Sequence, residues 1–70
     1  TQLEGSRHEL LIEGRSKNSR HDLMGRTRSG KIVNFAGDPE LVGKLVDVTI
    51  TRAYLHSLRG KLMKEVGNVN

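Results

Sequence analysis

The side chains most able to do chemistry in this sequence are basic and clustered. Residues 15–31 hold six Lys or Arg side chains and a single acid, Asp22. A second basic group lies in the C-terminal third, and the two groups together are Arg15, Lys17, Arg20, Arg26, Arg28, Lys31, Arg52, Arg59, Lys61 and Lys64. Such groups bind phosphates through charge-assisted hydrogen bonds and release condensed counterions. The clusters favour a polyanionic partner, although solvated strands and loops also carry such residues.

Patterns for catalysis or metal binding are missing from the sequence. There is no cysteine, which excludes disulfides, thiolate zinc sites and cysteine-held iron–sulfur clusters in this chain. His8, His21 and His56 fall in separate loop-like segments at a spacing that matches no metal site, so we expect them at the surface. Serine, histidine and acids occur without a nucleophile elbow or a paired acid and base. We therefore predict no catalytic centre, metal or cofactor in this chain.

Phe35 and Tyr54 are the two aromatic residues. Phe35 is predicted to lie in the core. Tyr54, beside Arg52 and His56, is equally suited to packing or to stacking on an unpaired base. Asn34 could contact RNA or satisfy backbone groups at a strand end. With so few aromatic residues, we expect the domain to bind mainly the backbone and shape of the RNA rather than to recognise its sequence by stacking.

Alternating apolar residues predict the elements that must position these side chains. Strands are expected at residues 9–13, 23–27, 32–35, 46–54 with a bend near Arg52, and 58–66 with Leu58, Leu62 and Val66 in phase. Residues 14–21 are predicted to form an exposed loop and 28–31 a turn that uses a positive φ at Gly30. Pro39 favours a helical turn that Gly43 ends. Gly25, Gly43 and Gly60 are interpreted as structural.

Five short strands and one helical turn predict an all-β fold, a small five-stranded antiparallel OB-like β-barrel, because closure removes exposed sheet edges. Residues 9–66 would form this domain, with residues 1–8 a linker remnant and 67–70 a tail. A chain of 70 residues has a thin core and no deep pocket. Thr1 is not a start methionine, so we expect a fragment of a longer protein. No apolar run is long enough for a membrane helix, and we expect a cytoplasmic location.

Several segments in a fixed order resemble a known family. They are LIEGRSK at 11–17, DLMGRT at 22–27, KIVNF at 31–35, GKLVDVTIT at 43–51 and SLRG at 57–60. In this order and spacing they resemble the TRAM domain at the C-terminus of the radical-SAM tRNA methylthiotransferases, over about residues 9–66. Within this family the segment Val33-Asn34-Phe35 is most similar to the MiaB type, which adds a methylthio group to carbon 2 of N6-isopentenyladenosine beside the tRNA anticodon.

The resemblance implies a role in capturing substrate. The barrel would hold the tRNA anticodon stem-loop for the radical-SAM domain of the same polypeptide, which would carry two [4Fe–4S] clusters and S-adenosylmethionine outside this chain. Phosphate contacts are expected from Arg15, Lys17, Arg26, Arg28 and Lys31, extended by Arg59 and Lys61, with Tyr54 as a further RNA contact. The alternative is a protein-docking TRAM domain from the sister branch that modifies ribosomal protein S12.

Overall fold

The alternating apolar segments form five strands in the computed structural model, which describes residues 4–17 and 22–68. The strands are β1 (Arg7–Arg15), β2 (Asp22–Arg26), β3 (Ile32–Ala36), β4 (Lys44–Ala53) and β5 (Leu58–Asn68), with a 3-10 turn at Pro39–Leu41 between β3 and β4. Around the barrel the order is β1-β2-β3-β5-β4, and β4 pairs with β1 to close the ring. The predicted five-stranded OB-like barrel with one helical turn is confirmed.

The core contains one apolar face from every strand. Within residues 4–17 and 22–68, nine hydrophobic residues are at most 5% exposed, and they are Leu10, Ile12, Leu23, Val33, Phe35, Val46, Val48, Ile50 and Leu58. Leu41, Ala53 and Leu62 pack against them. Burying one large aliphatic or aromatic side chain stabilises a fold by about 1.5–3 kcal/mol, so this thin core holds the barrel together. Phe35 lies inside it, as predicted.

One strand pair differs from the predicted antiparallel pattern. β3 and β5 are parallel, and their register places Val33 opposite Leu58 and Asn34 opposite Arg59. The other four pairs are antiparallel. A closed ring with an odd number of strands cannot alternate direction at every step, so one parallel pair is unavoidable. The five strands and the closed barrel that the sequence predicts together already require one parallel pair.

Both ends of the barrel extend further than the predicted strands. Residues 7 and 8, expected in the linker, belong to β1, where Arg7 lies opposite Thr49. The amide of Gly5 donates to the carbonyl of Ile50 at 2.7 Å, and the amide of Ile50 donates to the carbonyl of Ser6 at 2.8 Å. At the other end, β5 continues to Asn68 opposite Lys44. These ends join the sheet because β4 is long enough to offer backbone partners to both neighbours.

Irregular pairing along β4 and β5 moves side chains off the expected faces. Leu45 lies opposite Gly67 and Val46 opposite Glu65, so Val66 has no direct partner and its side chain is 45% exposed. Val66 was predicted to share the inward phase of Leu58, and the bulge explains why it does not. The predicted bend near Arg52 is present, since the register also shifts between Ile50 and Arg52.

Two turns are fixed by short polar side chains. In the β2–β3 turn, the amide of Lys31 donates to Thr27 Oγ1 at 3.1 Å and Gly30 has a φ of +85°. At the 3-10 turn, Asp38 Oδ1 accepts from the amide of Glu40 at 3.0 Å, which caps the first turn. Gly43 then ends the turn with a φ of +88°. Both turns match the predicted positions.

Candidate nucleic-acid interface

The outer face of β2 and β3 is the floor of the candidate interface. Inward residues alternate with outward ones, so Leu23 and Val33 are buried while their neighbours in sequence face outwards. Met24 lies opposite Asn34, and Arg26 lies opposite Ile32. This floor mixes apolar, amide and cationic groups, which suits a ligand that is itself part flat ring and part charge.

Two loops rise on either side of this floor. On one side, the end of β1 continues through Ser16 and Lys17, and the amide of Ser16 donates to the carbonyl of Asp22 at 2.9 Å. On the other side, residues 54–57 connect β4 to β5, and the amide of Tyr54 donates to the carbonyl of Ser57 at 2.8 Å. That hydrogen bond closes a tight loop, and His56 and Ser57 of this loop line the same hollow as Met24 and Ile32.

The floor and the loops enclose a continuous surface that we call the basic groove. Its central part has a volume of about 390 Å³, and two adjoining hollows share Ser57 with it. The side chains that give it polar or cationic character are Arg15, Ser16, Lys17, Asp22, Arg26, Lys31, Asn34, Tyr54, His56, Ser57 and Arg59. Most of the predicted RNA-binding residues therefore lie on one connected surface.

The cations of the groove differ in whether a carboxylate neutralises them. Arg15, Lys17 and Lys31 are exposed, and no carboxylate in the described part of the chain lies within ion-pair distance of them. Arg26 Nε lies 3.2 Å from Glu13 Oε2, and both side chains are well exposed. An exposed pair contributes only about 0–1 kcal/mol, so a phosphate can compete for Arg26.

Arg59 is held more firmly than the other cations of the groove. Its guanidinium forms an ion pair with the carboxylate of Asp22, whose side chain is only 15% exposed. The contact links β5 to β2 across β3 and fixes the direction of the guanidinium. Arg has five donors in a planar fork, so one carboxylate leaves donors free for a second anion.

Two of the predicted residues lie apart from the groove. Arg28 lies on the other side of β2, where its guanidinium is 3.7 Å from Glu9 Oε1. That side carries a separate hollow, the acidic hollow, whose lining residues are Glu9, Leu11, Glu13, Arg26, Thr27, Arg28 and Leu45. Lys61 lies opposite Thr49 in the β4–β5 ladder and lines none of the groove's hollows.

The described residues form no cluster of side chains that could bind a metal ion. Among residues 4–17 and 22–68, no three His, Asp or Glu side chains come together as they would to hold an ion. His8 Nε2 lies 2.9 Å from Ser6 Oγ, and His56 lines the groove. His21 and Arg20 lie outside the described residues. In the described part of the chain, no helix has the length and apolar character needed to cross a bilayer.

Several groove residues were not singled out from the sequence. Met24 and Ile32 form its apolar floor, and Ser57 lies where its three parts meet. The signal was available, because the same alternation that predicted Leu23 and Val33 as buried places their neighbours outside. Which outward face would form the groove depended on how the barrel closes.

The architecture defines a class. A five-stranded barrel whose β2–β3 face is flanked by Ser16 and Lys17 after β1 and by the β4–β5 loop matches the arrangement by which OB-fold barrels bind oligonucleotides. The family model of the TRAM domain matches residues 1–63, and the chain belongs to this family.

Curated relatives are similar over most of the chain. One protein, from Syntrophus aciditrophicus, is named tRNA-2-methylthio-N(6)-dimethylallyladenosine synthase, and it is 54% identical over 63 residues, 90% of this chain and 14% of the relative. Proteins of the same name from Methylibium petroleiphilum and Clostridium botulinum are 52% and 55% identical, over 84% and 83% of this chain and 14% and 13% of the relatives. The chain thus spans about a seventh of the length of the curated relatives that it matches.

Proposed function

We propose that this chain is the RNA-holding domain of a tRNA methylthiotransferase and that its basic groove binds the anticodon stem-loop of tRNA. The observation that carries the proposal is that Arg15, Lys17 and Lys31 line one groove and that, among the described residues, no carboxylate lies within ion-pair distance of them. A phosphate backbone laid along the groove would neutralise them and release counterions. Similarity to relatives named as tRNA-modifying synthases supports tRNA as the polyanion.

The role proposed for the groove is to hold RNA. The chain has no cysteine, and its described residues offer no cluster of metal ligands. The iron–sulfur clusters that the resemblance implies for the parent enzyme would find no cysteine ligands in this chain, so these clusters, and the S-adenosylmethionine that works with them, would belong to other parts of that polypeptide. The chain's own residues bind and orient the RNA, and the methylthio transfer to N6-isopentenyladenosine would occur outside the barrel.

Amide chemical shifts in a titration of the 70-residue chain with an anticodon stem-loop RNA test the proposal. Shifts are expected at the end of β1, along β2 and β3, and in residues 54–59. If the three unpaired cations each contact one phosphate, log affinity falls with log salt at a slope of about −2, from roughly −0.7 per contact. Shifts confined to the acidic hollow, or a slope near zero, would refute phosphate binding in the groove.

A second RNA separates the anticodon assignment from RNA binding in general. An acceptor-stem minihelix with the same number of phosphates offers the same charge but a different loop. We expect the anticodon stem-loop to bind more tightly. Equal affinity for both would leave RNA binding in place and remove the anticodon assignment.

Protein docking is the second candidate, and a specific feature favours it. Leu11 and Val42 are 39% and 42% exposed, and Leu11 lines the acidic hollow beside Leu45. Exposed apolar residues bounded by charges are typical of protein contacts. Such a surface would bind a ribosomal protein, or the radical-SAM domain of the same polypeptide, with little salt dependence. The same titration, repeated with a protein partner, would then shift Leu11 and Leu45 rather than the groove.

A further inference from the structure

The β4–β5 loop exposes apolar side chains beside the basic groove. Tyr54 is 58% exposed and Leu55 is 90% exposed. Tyr54 lines two hollows at this end of the groove, one that includes Lys31 and one that includes Arg59. Exposing an aromatic ring to water has a cost that burial against another apolar surface removes. The ring therefore offers a face to a flat ligand at a place flanked by cations.

The hollow beside Tyr54 has the size of a small ligand site. Its volume is about 280 Å³, and its lining includes Gly30, Lys31, Ile32, Tyr54 and Leu58. Sites for drug-sized ligands occupy roughly 300–1,000 Å³, so this one is suited to a single flat ring system rather than to a longer stretch of chain. Its walls are apolar where Ile32 and Leu58 contribute, and cationic where Lys31 contributes.

Hydrogen bonds donated by backbone amides hold the main chain on both sides of this hollow. On the loop side, Tyr54 is held through its amide by Ser57, and the amide of Ala53 donates to Glu4 Oε2 at 3.1 Å. On the turn side, the amide of Gly30 donates to the carbonyl of Thr27 at 2.9 Å. A fixed site loses little conformational entropy on binding, which favours recognition by shape.

We infer that this hollow takes one unpaired nucleobase, stacked on Tyr54, with the flanking phosphates on Lys31 and Arg59. The inference rests on the proposed RNA-binding function and adds a distinction to it. In a duplex, neighbouring base pairs cover both faces of each base, so a paired base cannot stack on the ring. The hollow would therefore select loop nucleotides over stem nucleotides, whereas the cations alone bind both.

The test compares one RNA strand in two states. An unstructured strand of about ten nucleotides lies within the roughly 4–16 nucleotides that an OB-fold barrel covers, and the same strand annealed to its complement has its bases paired. The 70-residue chain is compared with its Tyr54→Ala, Tyr54→Phe and Met63→Ala variants by fluorescence anisotropy. Met63→Ala is the matched control, because Met63 is a large apolar residue of similar exposure, 50% against 58% for Tyr54, and it lines none of the hollows described above.

Stacking of a base on an aromatic side chain contributes to the free energy of binding. Tyr54→Ala should therefore weaken binding of the single strand by roughly 5- to 100-fold. Duplex binding and the salt slope should stay unchanged, since no cation is lost, and Tyr54→Phe should keep full affinity for the single strand. Thermal unfolding of Tyr54→Ala should match the parent chain, which excludes a folding defect as the cause.

Four results would contradict the inference. Equal loss of single-strand and duplex binding in Tyr54→Ala, or a loss in Met63→Ala as large as that in Tyr54→Ala, would overturn the base site and leave RNA binding by the groove intact. Adenosine monophosphate that competes as strongly as the strand would indicate a free-nucleotide site instead. No binding of either RNA by the parent chain would refute the proposed function, and the base site with it.

Discussion

The basic groove and the acidic hollow lie on either side of β2 and share Arg26, yet they differ in what surrounds their cations. In the groove, Arg15, Lys17 and Lys31 have no carboxylate within ion-pair distance among the described residues. In the acidic hollow, Arg28 is paired with Glu9. The comparison shows that the placement of acids, and not only the number of Lys and Arg residues, determines which cations of this barrel have no carboxylate partner among the described residues.

Removing the unpaired cations of the groove should have the largest effect. The triple variant Arg15→Gln, Lys17→Gln, Lys31→Gln loses three phosphate contacts. Each contact contributes roughly five-fold at about 0.1 M salt, so affinity for the anticodon stem-loop should fall on the order of 100-fold and the salt slope should flatten by about 2. Fluorescence anisotropy over a range of salt concentrations measures both quantities.

The matched control removes the same charge from outside the groove. The variant Arg28→Gln, Lys61→Gln, Lys64→Gln should lose no direct contact and should weaken binding by less than about five-fold, through long-range attraction that salt screens. If the two triple variants were weakened equally, net charge alone would explain binding, and the distinction between the two faces would be lost.

The close approach of β1 and β2 is expected to have the next largest effect, on stability. A Cβ added at Gly25 would lie 2.7 Å from the carbonyl oxygen of Leu11, so the strands must move apart. Gly25→Ala should lower the free energy of unfolding by about 1–3 kcal/mol, as overpacking does elsewhere. Urea unfolding measures this change in the free energy of unfolding, and it tests whether the barrel depends on the close approach of β2 to β1.

Gly14→Ala is the control for this change, because nothing lies within 4 Å of a Cβ at that position. Gly14 also has no positive φ, so alanine fits its backbone, and the free energy of unfolding should change by less than about 1 kcal/mol. A loss at Gly14 as large as that at Gly25 would show that general strand flexibility, and not the contact with Leu11, is responsible.

Freeing the shared arginine should sharpen the contrast by a smaller amount. Glu13→Gln removes the carboxylate that lies beside Arg26, so Arg26 becomes available to a phosphate in the groove. Because an exposed ion pair contributes about 0–1 kcal/mol, affinity for RNA should rise by at most roughly five-fold. Glu9→Gln makes the same charge change but frees Arg28 on the other face, and groove binding should stay within about two-fold. An equal gain from both variants would contradict the assignment of Arg26 to the groove.

The smallest effect is expected far from the groove. Lys44 Nζ lies 3.0 Å from Glu65 Oε1 on partly exposed parts of β4 and β5. Glu65→Gln should lower the free energy of unfolding by less than about 1 kcal/mol, since exposed pairs contribute little. Thermal unfolding measures this change. A larger loss, or a change in RNA affinity beyond that of Glu9→Gln, would show that this side of the barrel is coupled to the groove.

Much of the fold follows from local patterns in the sequence. The alternation of Val46, Val48 and Ile50 with polar residues predicts β4, and Gly30 and Pro39 mark the turns that the structure shows. What was mispredicted depends on pairing. Arg7 joins β1 because Thr49 is available opposite it, and Val66 leaves the core because of a bulge. Neither pairing partner nor bulge can be read from one strand alone.

The candidate site was predictable in part for the same reason. The clustering of Lys and Arg in the sequence predicts Arg15, Lys17 and Lys31 as binding residues, because the positions of cationic residues can be read directly from the sequence. It could not separate them from Arg28, since the pairing of Arg28 with Glu9 joins residues 19 positions apart across two strands. The hollow at Tyr54 required the closed barrel, which brings the β4–β5 loop beside the β2–β3 turn.

The parallel pair of β3 and β5 has a consequence for how binding and folding are linked. Its register contains two residue pairs, Val33 with Leu58 and Asn34 with Arg59, while β4 and β5 share a ladder several times longer. The shortest junction of the barrel thus runs beneath the groove, and the contact between Asp22 and Arg59 spans it. An RNA strand that contacts Arg26 of β2 and Arg59 of β5 would bridge the β3–β5 pair on the outer face and stabilise it. Occupancy should therefore raise the melting temperature and slow amide exchange first at Asn34, before any other part of the ring responds.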